Sequence, residues 1–321
     1  MSRSRTDPSM AADVQPDPPF GDRLASAVAR RESAVVVGLD PDPSRLWPGG
    51  DPPSSGDPDP AQRAGAAVAD HCRRVLDAVA PACVAVKLQS ASFERLGAAG
   101  QQALAATTAH AASLDLLVLL DAKRGDIDVS AASYAQAAFG VTDTPWGPVA
   151  GLGADAVTVA PYMGRDSLLP FVTEAAARGR GTFVLVRTSN PGAADLQEQP
   201  LADGQPLWAR VARMVAELGA DPAAGPRGAT LDPVGAVVGA TAPERIAGLR
   251  ELMPRTPFLL PGVGAQGGRV EDLAPAFAPG PGAALVTASR SIVGAGAASG
   301  EDPATAARRA AEALRETGAH L

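Results

Sequence analysis

Lysine is almost absent from this chain, and one of its two lysines stands between carboxylates. Of 28 basic residues only Lys87 and Lys123 are lysines, and the others are arginines. Asp121 lies two residues before Lys123, so in an extended chain both side chains point to one side. Arginine can replace lysine at most exposed positions, but not where a compact ammonium must lose or donate a proton. The pattern therefore indicates proton transfer at these lysines.

The segment Asp121-Ala-Lys-Arg-Gly-Asp126 places two carboxylates around Lys123. Neighbouring carboxylates keep an ammonium charged and held in place, which disfavours a Schiff-base role for either lysine. A purely structural network of ion pairs would use the same residues. Buried charges are costly, however, and seldom accumulate without a functional reason.

These residues lie at the ends of short apolar runs that predict parallel strands buried on both faces. Eight such runs recur, each followed by a helical pattern, and they predict an α/β fold: a single-domain (β/α)8 TIM barrel. The predicted strands are Ala34–Leu39, Cys83–Leu88, Leu116–Leu120, Ala156–Ala160, Thr182–Val186, Val234–Val238, Pro257–Leu260 and Ala284–Thr287. An open doubly wound sheet is the alternative, but Asp40-Pro-Asp-Pro after the first run is not a Gly-rich dinucleotide loop.

The rest of the chain divides into helices, a tail and insertions. A short helix is predicted at Phe20–Glu32, and the helices after the strands at Ala61–Val79, Ala91–Ser113, Val129–Phe139, Arg165–Ala177, Gln205–Leu218, Pro243–Leu252, Val270–Phe277 and Pro303–Thr317. Residues 1–19, rich in Pro, Asp and Ser, are expected to be a disordered tail, with the barrel domain at 20–321. Insertions at Pro41–Pro60, Gly140–Gly153 and Asn190–Pro206 are expected at or near the active face.

Composition narrows the function. A net charge of −7 without blocks of like charge argues against nucleic-acid and membrane-surface binding, and no apolar run is long enough to span a membrane. Two cysteines without a Cys-x-x-Cys pair, and no secretory signal, favour a cytoplasmic protein. The three histidines lie far apart and away from the strand ends, which disfavours a histidine metal site or a Ser-His-Asp triad. We expect no metal.

The last two strand ends favour a phosphate site, because many (β/α)8 barrels hold phosphate there. Pro261-Gly-Val-Gly-Ala-Gln266-Gly-Gly268 follows the seventh run, and Ser289-Arg290 follows the eighth. Backbone N–H groups and a guanidinium suit a phosphate dianion. A Gly-rich loop alone also makes tight turns, so the pairing with Arg290 carries the prediction.

Over roughly Phe20 to Gly318 the chain resembles orotidine 5'-phosphate decarboxylase, in its longer bacterial, type 2, branch. The most specific resemblance is Asp121-Ala-Lys-Arg-Gly-Asp126-Ile127. Supporting motifs stand in order at successive strand ends: Gly38-Leu-Asp40, Val86-Lys87, Ala160-Pro-Tyr-Met-Gly164, Thr188-Ser-Asn-Pro-Gly192, the Pro261–Gly268 segment and Ser289-Arg-Ser-Ile292.

The resemblance implies cofactor-free conversion of orotidine 5'-monophosphate to UMP and CO2 in pyrimidine biosynthesis. Lys123 would protonate C6, Asp121 would sit against the substrate carboxylate, and Lys87 would bridge Asp121 and a ribose hydroxyl. Asp126 would complete a Lys-Asp-Lys-Asp array from the partner subunit of a homodimer with shared active sites.

The resemblance also implies a set of substrate-binding residues. They are Asp40 and Lys87 at the ribose, Ile127 and Ser130 beside Asp126, Ser189 and Pro261 at the base, and Gln266, Ser289 and Arg290 around the phosphate. Two positions depart from the family pattern. Ser289 stands where glycine is frequent and Ser130 where threonine is frequent, so the detailed phosphate and ribose contacts are open.

Two other functions remain alternatives. A phosphosugar aldolase or synthase on a related barrel shares an Asp-x-Lys-x-x-Asp pattern but uses a divalent metal. A non-catalytic nucleotide-binding barrel would be expected to lose a member of the charged array, and all members are present. The Lys-Arg-Gly insert and the Thr188–Gly192 loop favour the decarboxylase.

Overall fold

Eight parallel strands close into a barrel in the described part of the chain. The computed structural model describes residues 17–49, 59–264, 267–297 and 300–319. The barrel strands are β1 Val35–Leu39, β2 Ala85–Gln89, β3 Leu117–Arg124, β6 Ala156–Val159, β7 Gly181–Arg187, β8 Val234–Val238, β9 Phe258–Pro261 and β10 Ala284–Ala288, and β4 Val141–Thr142 pairs with β5 Val149–Ala150 in a separate hairpin. The barrel order is β1-β10-β9-β8-β7-β6-β3-β2, so the (β/α)8 prediction is confirmed.

Helices surround this barrel. The α-helices are α1 Phe20–Arg31, α2 Pro60–Val79, α3 Ser90–Glu94, α4 Gly97–Ser113, α5 Asp128–Phe139, α6 Arg165–Ala176, α7 Ala193–Leu196, α8 Leu207–Gly219, α9 Ile246–Leu252, α10 Arg290–Val293 and α11 Pro303–Gly318. Single 3₁₀ segments lie at Ala80–Ala82, Pro222–Ala224, Pro243–Arg245, Val270–Phe277 and Pro281–Ala283. No helix among these is long and apolar enough to cross a membrane.

Helix α1 closes the amino-terminal end of the barrel. Phe20 and Leu24 are fully buried there, and the Phe20 ring meets the Phe183 ring edge-on at 5.9 Å between centroids. Inward residues of the strands, such as Leu119 and Ala156, join the same interior cluster. Side chains alternate along a strand, so the residues two positions after Leu119 and Ala156 also face inward. They lie closer to the carboxyl end of the barrel.

Two helix predictions differ from the structure. The stretch Ala91–Ser113 forms two helices, because the chain turns at Gly97, whose φ of 61° is the left-handed conformation that glycine adopts without a steric penalty. Val270–Phe277 is a 3₁₀ rather than an α-helix and contains Pro275, which cannot donate a backbone hydrogen bond.

The insertions also fall differently than expected. Gly140–Gly153 contains the β4–β5 hairpin, which follows α5 and precedes β6. A helix of this fold returns the chain to the amino ends of the strands, so the hairpin lies away from the active face and the expectation was wrong. Asn190–Pro206 follows β7 and lies at the active face, as expected. Two of the predicted segments lie partly outside the described residues. They are the insertion Pro41–Pro60, at residues 50–58, and the expected tail, at residues 1–16.

Candidate active site

Three charged side chains meet inside the barrel at the carboxyl ends of β2 and β3. Lys87 Nζ donates to Asp121 Oδ2 at 2.8 Å, and Lys123 Nζ donates to Asp121 Oδ1 at 2.6 Å. Lys87 and Asp121 are each only 6% exposed, whereas Lys123 is open to solvent. Lys87 and Asp121 follow the inward residues Ala85 and Leu119 by two positions, so strand alternation delivers both to the same layer.

The charge balance around Asp121 favours its ionised form. Burial alone would raise the pKa of this carboxyl, but the charges and hydrogen bonds of Lys87 and Lys123 outweigh burial and lower the pKa to about 2. The cluster is therefore a carboxylate held between two ammonium groups at neutral pH. A fixed cation beside a fixed anion in a partly dry site can stabilise charge that develops on a bound molecule.

A bulge in β3 gives Lys123 its position. Strand β3 continues through Arg124, but its register against β6 shifts between Leu120 and Arg124. Lys123 has a φ of 47°, a left-handed conformation that costs a non-glycine residue about 1–2 kcal/mol. The predicted closeness of Asp121 and Lys123 is confirmed, but it arises from a bulge rather than from extended chain. Bulges next to active sites commonly re-aim a side chain in this way.

A cavity of about 540 Å³ opens above this cluster. Its wall contains the predicted residues Asp40, Lys87, Asp121, Lys123, Ser189, Pro261, Ser289 and Arg290. The volume is in the range of small-molecule sites. Residues from seven of the eight barrel strands or the loops after them thus reach one cavity.

Gln89 also lines the cavity, and sequence reasoning missed it. Its Oε1 accepts from Lys87 Nζ at 3.4 Å, and its Nε2 donates to the Asp121 carbonyl at 3.4 Å. Its spacing of two residues after Lys87, at the end of a strand, was the available signal, since such a residue also faces inward.

Ser289 fills space that a glycine in β1 leaves open. A Cβ on Gly38 would collide with Ser289 Oγ. The hydroxyl donates to Asp40 Oδ1 at 3.2 Å. The departure from the family pattern at Ser289 therefore has a structural consequence: the side chain reaches the carboxylate expected to bind ribose.

The loop after β7 is fixed by Gln197. Its Oε1 accepts from the Thr188 N–H and its Nε2 donates to Thr188 Oγ1, both at 2.8 Å. Thr188, Ser189 and Asn190 line the cavity. The insertion after β7 thus holds the predicted base-contacting loop in place. Of the residues predicted to bind phosphate, Ser289 and Arg290 line the cavity, whereas Gln266 lies outside the described residues.

Asp126, Ile127 and Ser130 do not line the cavity of their own chain. Asp126 Oδ1 accepts from the Ile127 N–H at 2.9 Å, and Ile127 is 49% exposed. Ser130 is exposed near the start of α5. These three predicted residues are therefore not brought together with Lys87, Asp121 and Lys123 in the cavity of their own chain.

The described histidines pack against structure rather than line the cavity. His71 is buried in α2, where its Nδ1 accepts from the Trp47 N–H at 3.0 Å, and burial lowers its pKa to about 4. His110 contacts Asp77 on the helical surface. Within the residues that the structure describes, no three His, Cys, Asp or Glu side chains are grouped as metal ligands would be.

Fold and site together define an enzyme of the (β/α)8-barrel class with a lysine–aspartate cluster at the carboxyl ends of its strands. Residues 33–310 match the model of the Orotidine 5'-phosphate decarboxylase / HUMPS family. The orotidine 5'-phosphate decarboxylase of Rhodopirellula baltica is 41% identical, over 85% of this chain and 88% of that protein. That of Haloarcula marismortui is 42% identical, over 89% of each chain. The chain belongs to the orotidine 5'-phosphate decarboxylase family.

Solved structures agree with this assignment. Leishmania donovani OMP decarboxylase is 30% identical and superimposes with a TM-score of 0.68, over 94% of this chain and 99% of that one. An orotidine 5'-monophosphate decarboxylase from Methanocaldococcus jannaschii, complexed with the inhibitor BMP, is 18% identical with a TM-score of 0.57, over 88% and 97% of the two chains. The second likeness shows a shared fold.

Proposed function

We propose that this chain decarboxylates orotidine 5'-monophosphate to UMP and CO2, without a metal or organic cofactor. The observation that carries the proposal is the Lys87–Asp121–Lys123 cluster at the base of the cavity, in a member of this family. In the proposed step the bond between C6 and the carboxyl carbon breaks, and its electron pair stays on C6 as CO2 leaves. Lys123 Nζ then gives a proton to C6, and solvent reprotonates the amine.

Fixed charge supplies the stabilisation. The ammonium of Lys123, held by Asp121 at 2.6 Å, would stabilise a carbanion that develops at C6 of the bound substrate. Asp121 carries a full negative charge at neutral pH and would repel the substrate carboxylate, an effect that we rank second. Lys87 keeps the aspartate oriented from its other oxygen.

Arg290 would bind the phosphate of the nucleotide, together with Gln266, and Ser189 and Pro261 would contact the base. Arg290 lines the cavity next to Ser289, and a planar guanidinium matches the oxygens of a phosphate. The phosphate is remote from C6, so its binding energy would serve to position the ring rather than to react.

We further propose a homodimer in which Asp126 enters the neighbour's active site, with Ile127 and Ser130 beside it. The exposed side chains of Ile127, Val129, Tyr162 and Met163 support a second copy of this chain as the occupant of that surface. Met163 lies next to Gly125, which joins the two segments into one patch. Exposed apolar patches of this kind mark protein interfaces.

Mixing two inactive variants tests the shared site. Lys123→Ala and Asp126→Ala are each expected to lack activity. After subunit exchange about half the dimers should be hetero, each with one site that lacks both groups and one that is wild type. About a quarter of wild-type activity should return. Exchange confirmed by mass without recovered activity would mean that Asp126 serves its own chain.

Ultraviolet absorbance of orotidine 5'-monophosphate tests the reaction itself. The absorbance should change on addition of the protein, at the same rate before and after dialysis against a chelator. Activity that is lost on dialysis and restored by Mg²⁺ would favour the metal-dependent aldolases and synthases on related barrels. Binding of the nucleotide without turnover would favour a non-catalytic barrel.

We infer that the reaction takes place in the cytoplasm. Cys72 and Cys83 are free and buried, and burial raises the pKa of each thiol to about 12. Two unpaired thiols are consistent with a reducing compartment. Fractionation of cells that express the tagged protein would test this.

A further inference from the structure

Thr158 lies beneath the active site, outside the wall of the cavity, and makes two hydrogen bonds to the charged cluster. Its Oγ1 donates to Asp121 Oδ1 at 2.9 Å. The same oxygen accepts from the Lys123 backbone N–H at 2.9 Å. The side chain is 1% exposed. One hydroxyl thus contacts both the carboxylate of Asp121 and the backbone N–H of Lys123.

The β3 bulge explains why such a contact is needed. Between Leu120, paired with Val157, and Arg124, paired with Val159, strand β3 contains more residues than β6. The regular ladder is therefore interrupted at Lys123, and its partly buried N–H bonds to the Thr158 side chain instead of to the backbone of β6. The Thr158 hydroxyl, with one proton to donate and lone pairs to accept, satisfies this N–H and the carboxylate together.

We propose that Thr158 is a positioning residue for Lys123. By holding the peptide of Lys123 in its left-handed conformation, it directs the ammonium toward Asp121 and the cavity. By holding Asp121 Oδ1, it fixes the anion that the ammonium faces. The proposal rests on the proposed decarboxylation, because it assigns Thr158 a role in that step. Thr158 itself does not line the cavity.

Three substitutions separate the hydroxyl from the shape of the side chain. Thr158→Val removes the hydroxyl at nearly constant shape, Thr158→Ser keeps it, and Thr158→Cys keeps the size with a weak donor. For Thr158→Val, we expect kcat to fall about ten- to a hundredfold, with KM within about threefold, since the ribose and phosphate contacts are untouched. Thr158→Ser should recover kcat to within about threefold of wild type.

Thr182→Val is the matched control. Thr182 lies on the neighbouring strand β7, opposite Val157, is 1% exposed, and its hydroxyl has no hydrogen-bond partner among the described residues. We expect its kcat and KM to stay within about twofold of wild type. An equal loss of kcat in Thr182→Val and Thr158→Val would mean that removal of any buried threonine hydroxyl lowers kcat. That result would overturn the proposal.

A measurement independent of activity uses the scarcity of lysine. Labelling with ¹⁵N-lysine gives backbone amide signals from Lys87 and Lys123 alone. In Thr158→Val the Lys123 amide should exchange its hydrogen at least about tenfold faster, and the Lys87 amide should not change. Unchanged exchange at Lys123, or a Thr158→Ser enzyme as slow as Thr158→Val, would overturn the proposal.

Two outcomes need separate handling. If Thr158→Val does not fold, Thr158→Cys replaces it in both measurements. Its kcat is expected to lie below that of Thr158→Ser and above about one hundredth of the wild-type value. If the wild-type protein does not decarboxylate the nucleotide, the proposed function is wrong. The exchange rate of the Lys123 amide then still decides whether Thr158 holds Lys123 in place.

Discussion

The two ends of the barrel interior each hold a buried aspartate between two cations, but the cations differ. At the carboxyl ends of the strands, Asp121 is held by Lys87 and Lys123. At the amino ends, Asp155 is held by Arg23, at 2.6 Å, and Arg180. Asp155 also accepts from the Val118 N–H at 2.9 Å, which ties the start of β6 to β3.

The two kinds of cation suit two different roles, a structural role at the amino end of the barrel and a chemical role at the carboxyl end. Arginine stays charged, forks across a carboxylate and holds helix α1 and the strand starts together, a role that needs no proton transfer. Lysine presents a compact ammonium that can give its proton away. A chain that uses arginine nearly everywhere has thus kept lysine at the end of the barrel where the cavity opens.

The largest expected effect comes from exchanging the cation at the reactive end. Lys123→Arg keeps the charge but loses a proton donor and needs more room, so kcat should fall by at least about a thousandfold. The control is the reverse exchange at the other end: Arg180→Lys should leave kcat within about threefold. Steady-state absorbance assays measure both. Near-normal activity of Lys123→Arg would remove Lys123 from the proton-donor role.

Removing the aspartate at the structural end should cost stability rather than turnover. Asp155→Ala leaves two arginines without their carboxylate, and breaking a buried ion pair costs about 3–5 kcal/mol. We expect the urea midpoint to drop, while KM and kcat of the folded enzyme stay within about threefold. A large fall in kcat at unchanged stability would contradict the division between the two ends.

A substitution of Arg290 tests whether an arginine at the carboxyl end of the barrel binds the substrate without taking part in proton transfer. Arg290→Ala should lower kcat/KM for the nucleotide about ten- to a hundredfold, because a charge-assisted contact contributes about 1.5–3 kcal/mol. Orotidine, which lacks the phosphate, should be insensitive to the same change. Equal sensitivity of nucleotide and nucleoside would mean that Arg290 acts elsewhere.

The smallest effect concerns pH. Asp121 has a pKa of about 2 in the folded protein against an ordinary value of 3.8. A depressed folded pKa adds stability that is complete above about pH 4 and is lost as the pH falls through about 2, here about 2 kcal/mol. Urea midpoints at about pH 5 and about pH 2.5 should fall further apart in wild type than in Asp121→Asn. An equal pH dependence in both proteins would show that the lysines do not shift this carboxyl.

Much of this protein followed from local pattern. Continuous apolar runs predicted all eight barrel strands to within a few residues, because strands buried on both faces must be apolar throughout. The residues that end those runs, above all Lys87, Asp121 and Arg290, were predicted to share one cavity and do so, since parallel strands of a barrel end at one face. The break of a helix at Gly97 and the hairpin near Trp146 were mispredicted, because both depend on how chain segments pack rather than on their hydrophobic period.

Only the tertiary structure determined which residues of different strands and helices contact one another. No spacing in the sequence connects Thr158 with Lys123 or Asp155 with Arg23, because these contacts depend on the register between strands and on helix α1 docking under the barrel. The position of Asp126 outside the lining of its own cavity likewise depends on the bulge in β3 and on the chain after Lys123. Sequence periodicity determines which side of its own strand a residue faces. Which residue it meets depends on barrel closure, which brings together segments that are distant in the chain.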